Sequence, residues 1–201
     1  MRRGVAGLAC LLLLAGCVTQ KLSREPLSST AQAELLAGLP GFRLDGRTSV
    51  QAGEEGFQAS VSWQQRAAET RLKLSGPLGA GGLTVVYAPG SLRVTNSRGQ
   101  DLRDAEAESA VRAELGFVPP FDALRFWMLG MLAPGEAPEA QQLDEAGRVS
   151  EMTQQQWRIQ YDRWMNVPTP AGAARLPQRV TVTRADLRLR LFVDRWNLKA
   201  R

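Results

Sequence analysis

The chain has 201 residues, 22% of them charged, a formal net charge of +5 and no histidine at all. The lack of histidine excludes His-based nucleophile triads, most zinc sites and the commonest general base. Basic residues are spread out (Arg43, Arg47, Arg66, Arg71, Lys73, then Arg179 to Arg195) with no aromatic-interleaved run. That pattern gives no expectation of nucleic acid and is better read as a modestly basic surface near anionic headgroups.

At the amino terminus, Arg2 and Arg3 precede an apolar run from Val5 to Leu14. The run is too short to span a bilayer as a helix. Leu14-Ala15-Gly16-Cys17 follows, two small residues that admit a peptidase and then a cysteine that an ordinary secretory site does not need. The pattern looks like a bacterial lipobox; the alternative is a plain signal peptide with a chance cysteine. The lipobox predicts cleavage before Cys17, thioether-linked diacylglycerol on its sulfur and acylation of the new amino terminus. This covalent N-acyl diacylglyceryl group is the one non-protein component expected. Removing residues 1–16 of 201 leaves 185, enough for one domain with a sizeable core. Cys10 departs with the leader, so no intramolecular disulfide is expected. Residues 17–30 are polar, contain Pro26 and read as the acylated cysteine with a flexible tether. Val18 lacks the aspartate that favours inner-membrane retention, which points to the outer membrane.

Thr30 is predicted to cap a short helix from Ala31 to Leu39, stopped by Gly38 and Pro40. From Phe42 the period changes to two. Phe42, Leu44, Gly46, Thr48 and Val50 share one strand face, with Arg43, Asp45 and Arg47 on the other. Gly53 to Gly56 turns the chain, and Phe57, Ala59, Val61 and Trp63 alternate with polar residues in an antiparallel partner. Further strands are predicted at Arg71 to Leu74, Leu83 to Tyr87 and Ser91 to Thr95, followed by a turn at Asn96 to Gly99. Helices are predicted from Asp104 to Leu115, ended by Gly116, and from Phe121 to Leu129, ended by Gly130. Residues 132–147, with Pro134, Gly135 and Pro138, read as an exposed loop. Val180 and Val182 pair across Ala185-Asp186 with Leu187, Leu189, Leu191 and Val193 in a terminal hairpin whose Arg188 and Arg190 face the other way.

These elements make a curved antiparallel sheet with a few helices laid on its apolar face. That face carries Trp63, Leu72, Leu74, Leu83, Val85, Trp157, Ile159, Tyr161, Val182, Leu189 and Leu191, with Leu124, Trp127 and Met128 supplied by a helix. Periodicity alone does not separate a filled core from a core with a hole in it. Residues 75–82 hold four glycines, a proline and one large apolar residue, Leu78, between Pro77 and Gly79. Leu78 is either a plug folded back on the core or an apolar probe at the tip of a projecting loop. Chemistry is not in evidence: Asp104, Glu106 and Glu108 suit a helix start, Glu54 and Glu55 a turn, and no nucleophile elbow, phosphate loop or metal spacing occurs. No enzyme is expected.

Several stretches, in order, resemble the family of outer-membrane lipoprotein receptors LolB. They are the lipobox, Phe42 to Arg47, the strand ending at Trp63, Gly76 to Gly79, Leu115-Gly116 before Pro119, Leu124 to Gly130, Gln156 to Tyr161, Leu176-Pro177 and Trp196 to Leu198. Each is short, but the ordered set is specific and covers nearly the whole mature chain. The resemblance implies an open, incomplete β-barrel with a helical lid over a hydrophobic cavity, and a single lipid-binding domain over residues 31–201. The apolar residues named above would then line the cavity, and Leu78, flanked by Pro77 and Gly79, would touch the membrane during insertion. It further implies a monomer anchored through Cys17 on the periplasmic face of the outer membrane of a Gram-negative bacterium. Its implied partners are the periplasmic carrier LolA, acylated lipoprotein clients and outer-membrane lipid. One departure from the family is a longer loop after the second helix, at Gly130-Met-Leu-Ala-Pro134. Alternatives from the residues alone are a structural outer-membrane lipoprotein and a general lipid carrier.

Overall fold

A computed structural model describes residues 25–76 and 82–198. Cys17 with its lipobox, and Pro77, Leu78 and Gly79, lie outside the described residues. The chain enters along the sheet, where Leu27 N–H donates to Ala173 O at 3.0 Å and Ala173 N–H to Glu25 O at 2.6 Å. That extended backbone persists to Ser28, whose hydroxyl accepts from Ala31 N–H at 3.3 Å and caps α1 (Ser29–Ala37). The cap is therefore Ser28 rather than Thr30, and the helix ends at Ala37 rather than Leu39. Three consecutive hydroxyl residues could each cap, and the strand-like entry selects the first.

The period-two pattern becomes β1 (Gly41–Ala52) and β2 (Glu55–Arg66), paired in unbroken register from Gly41↔Arg66 to Ala52↔Glu55. The meander continues through β3 (Glu69–Ser75), β4 (Leu83–Ala88), β5 (Ser91–Thr95) and β6 (Asp101–Arg103). Two helices follow, α2 (Asp104–Leu115) and α3 (Phe121–Trp127). Asp104 and Glu106 occupy the first turn of α2, where they complement its dipole, and Gly116 in the left-handed region closes it. The remaining strands are β7 (Ala140–Leu143), β8 (Val149–Gln154), β9 (Trp157–Pro168), β10 (Ala173–Arg184) and β11 (Leu187–Asn197). Two details differ from expectation. Helix α3 stops at Trp127, and Met128 to Gly130 form a turn that the Gly130 and Met131 N–H groups close onto Trp127 O and Phe126 O, each at 3.0 Å. Part of the expected 132–147 loop is strand: β7 pairs with β8, yet all four of its residues are exposed. An edge strand with neither face buried carries no hydrophobic alternation.

All strands form one eleven-stranded antiparallel sheet in the order β6-β5-β4-β3-β2-β1-β11-β10-β9-β8-β7, which is not closed into a barrel. The first and last long strands, β1 and β11, meet at its centre. Their joint has one bulge. Asp45 faces Arg195 and Gly46 faces Val193, leaving Asp194 as the extra residue. The backbones approach so closely there that a Cβ on Gly46 would stand 2.3 Å from Phe192 O. On the inner face, Phe42 packs edge-on to Trp196 with ring centroids 5.4 Å apart, and Trp196 Nε1 donates to Pro177 O at 2.9 Å. Among the described residues no helix is long and apolar enough to cross a membrane.

Gly46→Ala is expected to cost about 2–3 kcal/mol, the range for overpacking at a site that cannot relax. Urea unfolding should show a lower midpoint with an unchanged slope; an unchanged midpoint would mean that the bulge relaxes freely.

Candidate functional site

Between the sheet and its helices the packing leaves an apolar void. Its floor is Thr48 and Val50 of β1, Val61 and Trp63 of β2, Leu72 and Leu74 of β3, and Leu189 and Leu191 of β11. Its roof is Leu115 at the end of α2, Pro119 in the connection, Leu124 of α3 and Met128 just beyond it. Among the described residues Thr48 is the only polar one in the lining, and its hydroxyl is used: Oγ1 donates to Arg190 O at 3.1 Å. The space that can take the centre of a water-sized sphere is about 40 Å³. This is room for a few waters by volume, but the described walls offer them almost no hydrogen bonds, so the space favours an apolar occupant over water.

The roof is fastened at its ends rather than over the void. At the start of α3, Tyr87 OH of β4 donates to Asp122 Oδ2, and the Tyr87 ring stacks on Phe121 with centroids 5.1 Å apart. Burial and then the Asp122 bond push the Tyr87 phenol up to about 12, so this donor keeps its proton across the physiological range. Arg125 Nη1 donates to Ala67 O in the β2–β3 turn at 3.0 Å. At the far end, Trp127 Nε1 and Ala133 N–H both donate to Gln154 Oε1 at 2.9 Å. Gln154 Nε2 in turn donates to Ala133 O at 2.8 Å and Glu136 O at 2.7 Å. Tyr161 OH donates to Trp127 O at 2.8 Å, and deep burial raises its phenol further still. Gln154 is wholly buried; it replaces the backbone partners that the segment after α3 lacks.

Of the residues read as lining from the sequence, Trp63, Leu72, Leu74, Leu124, Met128, Leu189 and Leu191 border this void. Leu83, Val85, Trp127, Trp157, Ile159, Tyr161 and Val182 are buried in the same continuous core but lie elsewhere in it. Trp127 and Tyr161 belong to the fastening of α3. Trp157 packs on Phe117, centroids 5.6 Å apart, under the α2–α3 connection. Thr48, Val50, Val61, Leu115 and Pro119 border the void and were not singled out as lining. The strand residues share the alternation of those that were, whereas Leu115 and Pro119 reach it only through the turn at Gly116.

The remaining depressions are open and mixed in polarity. One lies on the outer face of the sheet beside the bulge, lined by Asp45, Lys73, Asp194 and Arg195 among others. Another lies between the starts of α2 and α3, beside Tyr87 and Asp122. Among the described residues no group of three carboxylates or cysteines is placed to hold a metal ion.

The family model described as outer membrane lipoprotein LolB matches residues 40–196. The outer-membrane lipoprotein LolB of Chromohalobacter salexigens is 34% identical over 197 residues, covering 96% of this chain and 89% of its own length. That of Halorhodospira halophila is 31% identical over 196 residues, covering 97% and 95%. Among solved structures, a domain from Vibrio parahaemolyticus assigned to outer-membrane lipoprotein sorting superposes with a TM-score of 0.50. It is 6% identical, over 84% of this chain and 89% of that one, a likeness of fold alone.

Gln154→Leu keeps the side-chain volume but strands two donors and two carbonyls. It is expected to cost about 3 kcal/mol by the desolvation of unpaired buried groups. Hydrogen exchange should speed up at residues 127–136 before the central strands respond; uniform acceleration would show that the network supports the whole core rather than the roof.

Proposed function

The chain belongs to the LolB family, and we propose that it is an outer-membrane receptor that takes acylated lipoproteins from the periplasmic carrier LolA and releases them into the inner leaflet. The observation that carries this reading is the apolar void between a continuous sheet floor and a roof whose hydrogen bonds, among the described residues, lie beside the void rather than across it. A sixteen-carbon chain in water is disfavoured by about 12 kcal/mol, at about 0.8 kcal/mol per methylene. A site for it needs apolar burial and neither covalent chemistry nor a nucleotide. The void as it stands is too small for such a chain, so the reading requires the roof to lift. Leu115, Pro119, Leu124 and Met128 touch the floor by dispersion and apolar burial alone, contacts that an acyl chain replaces in kind.

In this reading Cys17 carries the diacylglyceryl and N-acyl groups and holds the domain at the periplasmic face, since more than one chain gives stable anchoring. The tether is shorter than the 17–30 expected from sequence: Glu25 and Leu27 already pair with Ala173 of β10 and α1 begins at Ser29, which leaves residues 17–24 for that role. Leu78, between Pro77 and Gly79, is the apolar residue presented to lipid when a client leaves. Direction follows from rising affinity, from carrier to receptor to bilayer, with no input of energy.

The test mixes Cys17→Ala chain with LolA loaded with a labelled triacylated lipoprotein and asks by pull-down which protein holds the label. Transfer onto this chain is expected; retention by a folded carrier in the presence of this folded chain would overturn the receptor reading in favour of a structural lipoprotein. Leu78→Glu is expected to accept the label equally well and to pass it to vesicles at least tenfold more slowly. Normal release by that variant would remove Leu78 from the insertion step.

A further inference from the structure

Charges that look scattered along the sequence are sorted by the fold. On β1 and β11 the residues facing away from the helices include Arg43, Asp45, Arg47, Arg188, Arg190 and Arg195, placed side by side by the central register. Next to them β3 adds Arg71 and Lys73, in register with Gln64 and Ser62 of β2. Two acids at the centre of this face are ion-paired and a third is placed opposite an arginine by the register. Asp194 takes Arg47 at 2.8 Å and Asp45 takes Arg195 at 3.3 Å, while Glu69 stands opposite Arg66 at the β2–β3 turn. Arg43, Arg71, Lys73, Arg188 and Arg190 are exposed and have no acid partner among the described residues. The helical side has the opposite bias: α2 carries Asp104, Glu106, Glu108 and Glu114 against one arginine, Arg112.

We propose that the outer face of β3, β2, β1 and β11 is a docking surface for an anionic phospholipid bilayer, engaged through the lipid phosphates. The proposal rests on the reading above that the chain works at a membrane, and adds how it lies there. Two features select a lipid surface over an acidic protein. First, a protein interface is anchored by apolar or aromatic side chains at its centre, and this face offers none free. Its one aromatic residue, Phe192, is half-buried beneath the guanidinium of Arg47, 5.1 Å from the ring centroid. Second, four of the five unmatched cations are arginines, whose planar fork suits phosphate oxygens; the five are interleaved with Ser and Gln, and only Lys73 borders the depression beside the bulge. Attraction of the cations and repulsion of α2 act in the same sense, so an anionic surface turns the molecule as well as holding it. In that pose the strands lie along the bilayer and the roof of the void faces the aqueous space from which a client arrives.

The experiment uses Cys17→Ala chain, which lacks the acyl anchor, and vesicles of phosphatidylethanolamine with phosphatidylglycerol, compared with vesicles of phosphatidylcholine. Preferential binding to the anionic vesicles, lost as salt rises, is expected. One basic residue near such a surface is worth about fivefold in partitioning, so Arg188→Gln with Arg190→Gln should weaken it about 25-fold. The same loss of charge away from the face, Arg98→Gln with Arg112→Gln, should weaken it less than threefold. Equal binding to both vesicle types, or equal effects of the two pairs, would overturn the proposal. So would a face variant that binds vesicles normally but no longer draws client from loaded LolA, which would make the face a protein dock. The vesicle assay contains neither client nor carrier. A chain that binds vesicles through this face yet takes no client therefore counts against the receptor reading alone.

Discussion

An eleven-stranded sheet that does not close has an inner face that must be covered by something other than itself. Here three helices of nine, twelve and seven residues do that work. Antiparallel pairing satisfies the backbone without them, so their task is purely to remove apolar surface from water. They nearly succeed. The shortfall is the void under Leu124 and Met128, and it offers water little because the one hydroxyl among its described lining residues already donates to Arg190 O. A polar wall would have recruited water and made entry of an apolar chain a contest with ordered solvent.

The way the roof is held separates two kinds of force. Directional contacts sit at its margins, in the Tyr87–Asp122 bond, the Arg125 bond to the β2–β3 turn and the Gln154 network. Over the void only side-chain packing acts, and the residue projecting there beyond α3 is a methionine, whose three rotatable bonds let it fill or vacate space at little cost. The floor has no such freedom. β1 is paired along its length to β2 and nearly so to β11, with the bulge at Gly46 locked by backbone contact. The opening that the proposed function requires therefore falls to the roof, the part with fewer long-range ties.

The strand floor was legible in the sequence because a half-buried strand writes its period into the chain. Phe42 to Val50 and Leu187 to Val193 alternate, and the structure buries the expected members of the first run and Leu191 and Val193 of the second, with Leu187 and Leu189 half-buried. The ends of α2 were legible for the same kind of reason, an acidic first turn and a glycine that can adopt a positive φ. What escaped had no local signal. β7 is exposed on both faces, so nothing in Ala140 to Leu143 separates it from loop. Gln154 is polar and sits in a strand with little apolar alternation, so its role is visible only once Trp127, Ala133 and Glu136 are brought around it. Which half of the apolar residues would border space rather than one another depends on where two short helices come to rest. That is a property of packing, not of period.

The same periodicity explains the charge pattern that composition concealed. Once one face of β1, β3 and β11 is committed to the core, every intervening residue is committed to the outer face, and antiparallel pairing sets them shoulder to shoulder. Arg43 and Arg71 are twenty-eight positions apart in the chain, yet both pair with Gln64, one from each side. That places them about 10 Å apart, two strand spacings. A small positive net charge spread over a sphere would be unremarkable in its effect. Gathered on one side of a sheet where Asp45 and Asp194 are already ion-paired, with an acidic helix on the other side, it becomes an orienting field. The alternation that builds an apolar floor for a lipid chain thus also builds, on the reverse of the same strands, the surface suited to lipid headgroups.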